Sequence, residues 1–365
     1  MLRITGLAVG GDGVGRDDSG RVVFVPGAVP GDVVDVALTS EHKRFARAEI
    51  RRVVEPSPDR IAPRCERCGG CGLGHVHLDA QRMLRRTIVI DALERIGRVT
   101  PDVRDGPPLD PWGYRTTVRV GVVDGRAALR TARSHDLAVI DACPVLHPLL
   151  EELVVEGDFG ANTEVVLRVG ARTGERLVAA EHPVRVPADV RRDHIDEIVD
   201  GHTYRVSAAS FFQSRPDGAE ALVAVVRAEV GAVGSLVDAY SGVGLFSRLA
   251  DHVVAVERAP SSVADARHNV PGATVVESAV EDWAPTPADA VVADPARRGL
   301  GATGVAVLAA TGAERIVLVS CDAGSLGRDT LELAGAGYRY EHSTLVDLFP
   351  HTAHVEVVSL FRRVD

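Results

Sequence analysis

Short runs that alternate apolar and polar residues fill the first 54 positions: LRITGLAV, RVVFVPG, DVVDVAL and RFARAEIRRVV, cut by Gly, Asp and Pro turns. A period of two in segments this short predicts half-buried strands, and their close succession predicts a small β-barrel. The segment GGDGVG (Gly10 to Gly15) has the look of a glycine-rich nucleotide loop, but no helical pattern follows it, so a hairpin turn is expected. The period changes in DAQRMLRRTIVIDALERIG. There Met83, Leu84, Ile88, Ile90, Leu93 and Ile96 recur at helical spacing, and Gly97 ends a helix predicted over about 79–97. Residues 112–207 return to a mostly β pattern, with turns at Asp124-Gly125 and Thr173-Gly174. From about 208 onward strands alternate with helices, as in a doubly wound parallel sheet.

The 365 residues exceed one ordinary domain. The pattern divides them into a barrel over 1–54, a β-rich central domain over 55–207 and an α/β domain over 208–365, with the 79–97 helix expected to pack on the last. No apolar stretch approaches the roughly 18 to 20 residues that span a bilayer, and MLRITGLAVGGDG has no signal-peptide pattern, so a cytoplasmic protein without a membrane partner is expected. A net charge of -10 weighs against a nucleic-acid partner. The distribution weighs the other way: Lys43 is the only lysine, and basic residues cluster at Lys43-Arg44-Arg47, Arg51-Arg52, Arg82-Arg85-Arg86 and Arg297-Arg298. A basic face on an acidic protein is compatible with both.

Candidate chemistry begins at LVDAYSGVGLFS, a strand followed by a glycine turn and a helix start. Gly242 and Gly244 let the backbone approach a ligand at the carboxyl end of an open α/β sheet, and Glu257, ending the next strand, can accept from both ribose hydroxyls. Two glycines without a pyrophosphate fingerprint suit S-adenosylmethionine better than NAD. Asp294 ends the strand of DAVVADPARRGL. Where methyltransferases of exocyclic amines carry Pro-Pro and an aromatic, this chain has Pro295, Ala296 and Arg297, which disfavours amine methylation. Cys321 ends the apolar run Ile316 to Ser320, so a thiol stands where a strand hands over to a loop.

Three of the five cysteines, Cys65, Cys68 and Cys71, lie within seven residues, a poor disulfide framework and a good metal-binding one. With Cys143 they make four thiol ligands, the number a four-iron, four-sulfur cluster requires. Zinc competes for such a set, although three crowded sulfurs suit the corner of a cube better than a tetrahedron around one ion. The two-then-two spacing is not that of radical enzymes, so a structural or RNA-binding role is expected of the cluster.

Taken together, FFQ in AASFFQSRP, DAYSGVG, DPARRGL, VSCDAGSLGRD and DLFPHTAHVE resemble the motifs of the uracil-C5 RNA methyltransferases, which make 5-methyluridine in ribosomal or transfer RNA. The resemblance runs nearly the whole chain and includes an N-terminal segment similar to a TRAM domain. It implies a Rossmann-like, class I S-adenosylmethionine-dependent methyltransferase domain behind an OB-like TRAM barrel and a central iron-sulfur domain. It implies Cys321 as the nucleophile that adds to C6 of uracil and Glu356 as the base that removes the C5 proton. Cofactor contacts are implied for Gln213, Tyr240, Gly242, Gly244, Glu257 and Asp294, and cluster ligation for Cys65, Cys68, Cys71 and Cys143. His351 and His354 are expected to line or brace the site. The barrel and cluster together tilt the expected substrate toward 23S rRNA, with tRNA as the alternative. Where the family has Asn after the nucleophile this chain has Asp322, and a carboxylate there is expected to disfavour the thiolate. The alternatives are a methyltransferase acting on another atom or on a small molecule, and a non-catalytic iron-sulfur RNA-binding protein. The thiol and carboxylate pair argues against the former, and the cofactor turn against the latter.

Overall fold

The structure is a computed structural model that describes residues 1–65, 68–132, 134 and 136–364. Strands β1 (Leu2–Leu7), β2 (Gly13–Arg16), β3 (Val22–Val25), β4 (Val33–Glu41) and β5 (Phe45–Glu55) close into a barrel in the order β1-β2-β3-β5-β4. Alternation explains the closure. Leu2 and Ile4, Val23 and Val25, and Ala46 and Ala48 point inward and meet in one core, while their neighbours face out. Gly15 is required where β2 crosses β1, because a Cβ there would stand 2.5 Å from the Arg3 carbonyl. The Gly10–Gly15 segment is the turn and second strand of a hairpin, as expected.

Helix α1 (Leu78–Ala92) continues into a π-helical turn at Leu93–Gly97, and Arg98, in the left-handed region at φ 57°, closes it. Ile88, Val89, Ala92 and Leu93 enter the core of the C-terminal sheet. The turn packs closely on a later helix: a Cβ on Gly327 would stand 2.8 Å from the Ala92 carbonyl. Met83 and Ile96 share the helical period but are exposed.

Strand β6 (Val103–Asp105) is followed by β7 (Thr117–Val123), β8 (Arg126–Arg130), β9 (Leu137–Val139), β10 (Glu164–Val169) and β11 (Arg176–Ala179). The last five form an antiparallel sheet in the order β11-β10-β7-β8-β9. Helix α2 (Pro148–Glu156) covers it, an element that the mostly β reading of this stretch did not place. It starts where Pro148 follows His147, whose ring accepts from the Leu149 N–H. The hairpin β12 (His194–Val199) and β13 (His202–Ser207) turns on Asp200-Gly201, both at positive φ. It shares a core with the C-terminal sheet.

That sheet has eight strands. After helix α3 (Pro216–Val230) come β14 (Ser235–Ala239), β15 (His252–Glu257), α4 (Pro260–Asn269), β16 (Thr274–Glu277), β17 (Ala290–Ala293), α5 (Gly301–Ala309), β18 (Arg315–Ser320), α6 (Ala323–Gly335), β19 (Tyr338–Leu345) and β20 (Val357–Arg363). Their order is β16-β15-β14-β17-β18-β20-β19-β6, parallel from β16 to β18, with β20 antiparallel to both its neighbours. β17 and β18 are nearly continuous apolar runs because helices cover both faces. The edge strand β6 comes from far upstream and pairs parallel with β19. No helix among the described residues is long and apolar enough to cross a membrane.

Candidate active site

The chain leaves β14 through Asp238-Ala239-Tyr240-Ser241-Gly242-Val243-Gly244. Tyr240, Gly242 and Gly244 all take positive φ (59°, 55° and 91°), which folds the backbone back across the carboxyl end of the sheet. Glu257, at the end of β15, holds the turn: its carboxylate accepts from the Gly242 N–H at 3.0 Å and the Ala259 N–H at 2.7 Å. A Cβ on Gly242 would meet nothing within 4 Å, so the turn borders open space. Asp238 lies fully buried beneath it. One carboxylate oxygen accepts from the Ser247 hydroxyl at 2.5 Å, the other has no partner, and burial pushes the group up to about 7.

Three groups meet beside this turn. Asp294 follows β17, half-buried, and desolvation pushes it up to about 7. Cys321 follows β18, and Glu356 precedes β20 with only 3 % of its surface exposed. Burial pushes the Cys321 thiol up to about 12. The charges of Glu356 and Asp294 add to this, and Arg297 opposes it. Burial, then Asp294, raises Glu356 well above the usual carboxylate range. Asp322 is a correction: it caps α6, accepting from the Ser325 N–H at 2.8 Å, and the carboxylates that bear on the thiol are Glu356 and Asp294. A side chain committed to an orphan N–H group at a helix start turns away from its neighbour.

A cavity of about 880 Å³ joins the turn to the thiol. Gln213, Tyr240, Gly242, Glu257, Asp294, Cys321 and Glu356 all line it, although they span more than 140 positions of sequence. Gly244 does not line it; a Cβ there would press on Val270 at 2.9 Å, so its part is to make the turn.

The N-terminal barrel matches the TRAM domain over residues 2–50. An uncharacterized RNA methyltransferase of Streptomyces coelicolor is 34% identical, over 97% of this chain and 90% of its own. One of Gloeobacter violaceus is 32% identical, over 99% and 95%. The tRNA (uracil-54, C5)-methyltransferase of Pyrococcus abyssi, solved with S-adenosyl-L-homocysteine, superposes with a TM-score of 0.76 at 25% identity, covering 99% of this chain and 100% of that one. The chain belongs to the uracil-C5 RNA methyltransferase family.

The methyltransferase uses S-adenosylmethionine, and its residues suit that ligand. Besides the open face at Gly242, the buried Ser241 hydroxyl lacks a partner, and Tyr240 donates to Glu281 at 3.1 Å on the cavity wall. Glu281, Phe211 and Arg115 also line the cavity and were not anticipated from sequence. Glu281 carried a signal, an acidic residue shortly after the end of β16. Phe211, 69 % exposed, carried a stronger one as the first aromatic of FFQ.

The cysteines are all free. Burial, followed by the charges of Cys68, Cys143 and Cys65, pushes the Cys71 thiol up to about 12, so the four thiols lie within electrostatic reach of one another. Among the described residues no three ligating side chains converge on a point that would hold one metal ion. The thiols stay off the cavity wall, yet Gly69, Gly70, Gly72 and Leu73 between and beyond them form part of it.

His354 lines the cavity, and His351 braces the loop behind it. The His351 ring stacks on Trp112 with centroids 4.0 Å apart, and Arg64 lies over the other ring system at 4.3 Å from the Trp112 centroid. Buried Gln81, on α1, ties this loop to the cysteine segment. Its Oε1 accepts from the His351 N–H at 2.7 Å, while its Nε2 donates to the Leu73 and Val76 carbonyls at 3.0 and 2.8 Å. Leu73 N–H donates to the His351 carbonyl at 2.8 Å.

Proposed function

We propose that this RNA methyltransferase acts on C5 of a uridine, with Cys321 as nucleophile and Glu356 as base. The observation that carries the reading is the meeting of a thiol and a buried carboxyl in one cavity beside the cofactor turn. Uracil C5 is a poor nucleophile. Cys321, once ionised to the thiolate, bonds through sulfur to C6, which moves the ring electrons toward O4 and makes C5 reactive. Bound S-adenosylmethionine supplies the electrophilic methyl. Glu356 then takes the C5 proton, the C5–C6 double bond re-forms and the sulfur–C6 bond breaks with its electron pair on sulfur, freeing the thiolate. A carboxyl whose proton affinity is raised by burial is suited to that last transfer. Methylation of an amine or of oxygen would need no thiol. In the same reading Gln213, Tyr240, Gly242, Glu257 and Asp294 contact the cofactor, and Gly244 shapes the turn.

Cys65, Cys68, Cys71 and Cys143 would hold a four-iron, four-sulfur cluster, a reading supported by an all-thiol donor set with mutual electrostatic contact. Such a cluster would pin the cysteine segment to the central core that contains Cys143.

A target base must leave its stack to reach an enclosed thiol, which favours single-stranded or loop RNA. We take 23S rRNA as the carrier. The Pyrococcus abyssi enzyme, matched over its full length, acts on tRNA and supports tRNA as the second reading. Mass-spectrometric mapping of ribosomal and transfer RNA from a deletion strain tests both. Loss of one 5-methyluridine from 23S rRNA is expected; its loss from tRNA selects the second reading, and no loss from either removes the uracil-C5 assignment.

A further inference from the structure

Ser210 and Phe211 reverse the ordinary order of burial: the serine is 2 % exposed and the phenylalanine beside it 69 %. Apolar packing accounts for the next residue, Phe212, whose ring lies 5.9 Å from that of Tyr204, but not for a hydroxyl turned inward. The cause is polar. Asp265, buried on α4, accepts from the Ser207 N–H at 2.8 Å, the Ser207 hydroxyl at 2.7 Å and the Ser210 hydroxyl at 2.6 Å. Arg168, buried on β10, donates to the Ser207 and Ser210 carbonyls at 3.1 and 2.7 Å. The two serines therefore give their hydroxyls to a helix beside the C-terminal sheet and accept from a strand of the central one.

Ser261, Asp265 and Asn269 follow one another at helical spacing on one face of α4. The Ser261 and Ser210 hydroxyls bond at 2.8 Å. Asn269 accepts from the Arg205 N–H at 2.8 Å and donates to the carbonyls of Arg205 and Val243, both at 3.0 Å. Val243 belongs to the cofactor turn. One helix face thus holds the segment leading to Gln213 near its start and the cofactor turn near its end. A buried carboxylate with a buried guanidinium is a poor means to stability, since apolar residues of similar volume often serve as well, and the Arg168 Nε is left without a partner. What the pair supplies is direction.

We propose that Asp265, together with Arg168, is a positioning residue for methyl transfer: by holding Ser207 and Ser210 it sets Phe211 and Gln213 on the wall of the catalytic cavity, in register with the cofactor turn. Both residues line that cavity, and Asp265 does not. The proposal rests on Gln213 meeting the cofactor and gives that contact its support. A displacement of about 1 Å at a reacting site can cost about a hundredfold in rate, so a slackened segment is read in kcat.

Asp265→Asn keeps the side-chain volume and removes the charge and one acceptor. Transfer of tritium from methyl-labelled S-adenosylmethionine to RNA of a deletion strain is expected to fall about tenfold in kcat. The cycle with Phe211→Ala and Gln213→Ala combined decides the role: in that background Asp265→Asn is expected to cost less than about twofold, because nothing is left to position. The same loss in both backgrounds, or no loss in either, overturns the proposal. Hydrogen exchange reads the placement without turnover. Residues 207–214 are expected to exchange about tenfold faster in Asp265→Asn, with β14 and β18 at wild-type rates. Unchanged exchange in 207–214, or faster exchange throughout the sheet, also overturns it. Should Asp265→Asn fail to fold, Ser210→Ala, which removes one hydroxyl, carries both measurements with the same expected directions. The tritium count is indifferent to the atom that receives the methyl, so the 5-methyluridine assignment stands or falls separately.

Discussion

At Cys321 several influences act on one proton: burial, Glu356 and Asp294 push the thiol up to about 12, and Arg297 pulls the other way. Removing the Glu356 charge therefore lowers the pH at which the free enzyme's thiol ionises, and Glu356→Gln is expected to be alkylated by iodoacetamide at lower pH than wild type. The same variant separates the steps of the reaction. Addition and methyl transfer need no base at C5, but elimination does, so Glu356→Gln is expected to accumulate a covalent protein–RNA complex, seen as a slower band on a denaturing gel. Cys321→Ala is expected to bind S-adenosylmethionine yet form neither adduct nor product, and the band should vanish when both changes are combined. 5-Methyluridine made by Cys321→Ala at the wild-type rate would sink the mechanism. Asp322 was misjudged at this scale: identity and position were legible, but the direction of the side chain depends on the helix start it caps.

Helix α1 illustrates what period can tell about an element. Its existence and its limit at Gly97 follow from apolar spacing and a terminal glycine, and burial at Ile88 and Leu93 follows from the same spacing, which did not mark the equally buried Val89. The period could not tell that Met83 lies 61 % exposed, because an apolar stripe does not say how far a partner extends along it. α2 escaped notice for another reason: PLLEELVVE is short and rich in β-branched valine, although Pro148 at its first position was a helix-start signal. Least legible was the use of Gln81, a polar residue that turns inward from α1 to fasten two loops. Gln81→Leu leaves the Leu73 and Val76 carbonyls without their donor, at a cost of about 1 to 3 kcal/mol for each buried acceptor left unsatisfied. The expected result is a lower melting temperature by calorimetry and a reduced kcat. S-adenosylmethionine affinity should be unaltered, since Gly242 and Glu257 are held by β14 and β15. Wild-type stability in Gln81→Leu would show that these bonds do not brace the loop.

Across the whole molecule, the order of barrel, central sheet and C-terminal parallel sheet was legible because the apolar spacing changes at the 79–97 helix and again near 208. Their meeting was not. The β1–β2 turn, the cysteine segment and the loop before β20 converge on one cavity through single contacts, such as Gly11 against Ala353 and Leu73 against His351, which leave no periodic trace in sequence. The convergence makes the cysteine segment a wall of the catalytic cavity, and its failure should be felt selectively. Anaerobically purified wild type is expected to carry about four irons per chain, and Cys68→Ser is expected to lose them. Without that anchorage Gly69, Gly70 and Gly72 are free to leave the wall, so oligouridylate binding should weaken. The cofactor turn, built on β14 and β15, should still bind S-adenosylmethionine with wild-type affinity by calorimetry. Elemental analysis finding one zinc and no iron in the wild type would replace the cluster with a single ion. Unchanged RNA binding in an iron-free Cys68→Ser would detach the thiols from the wall they border.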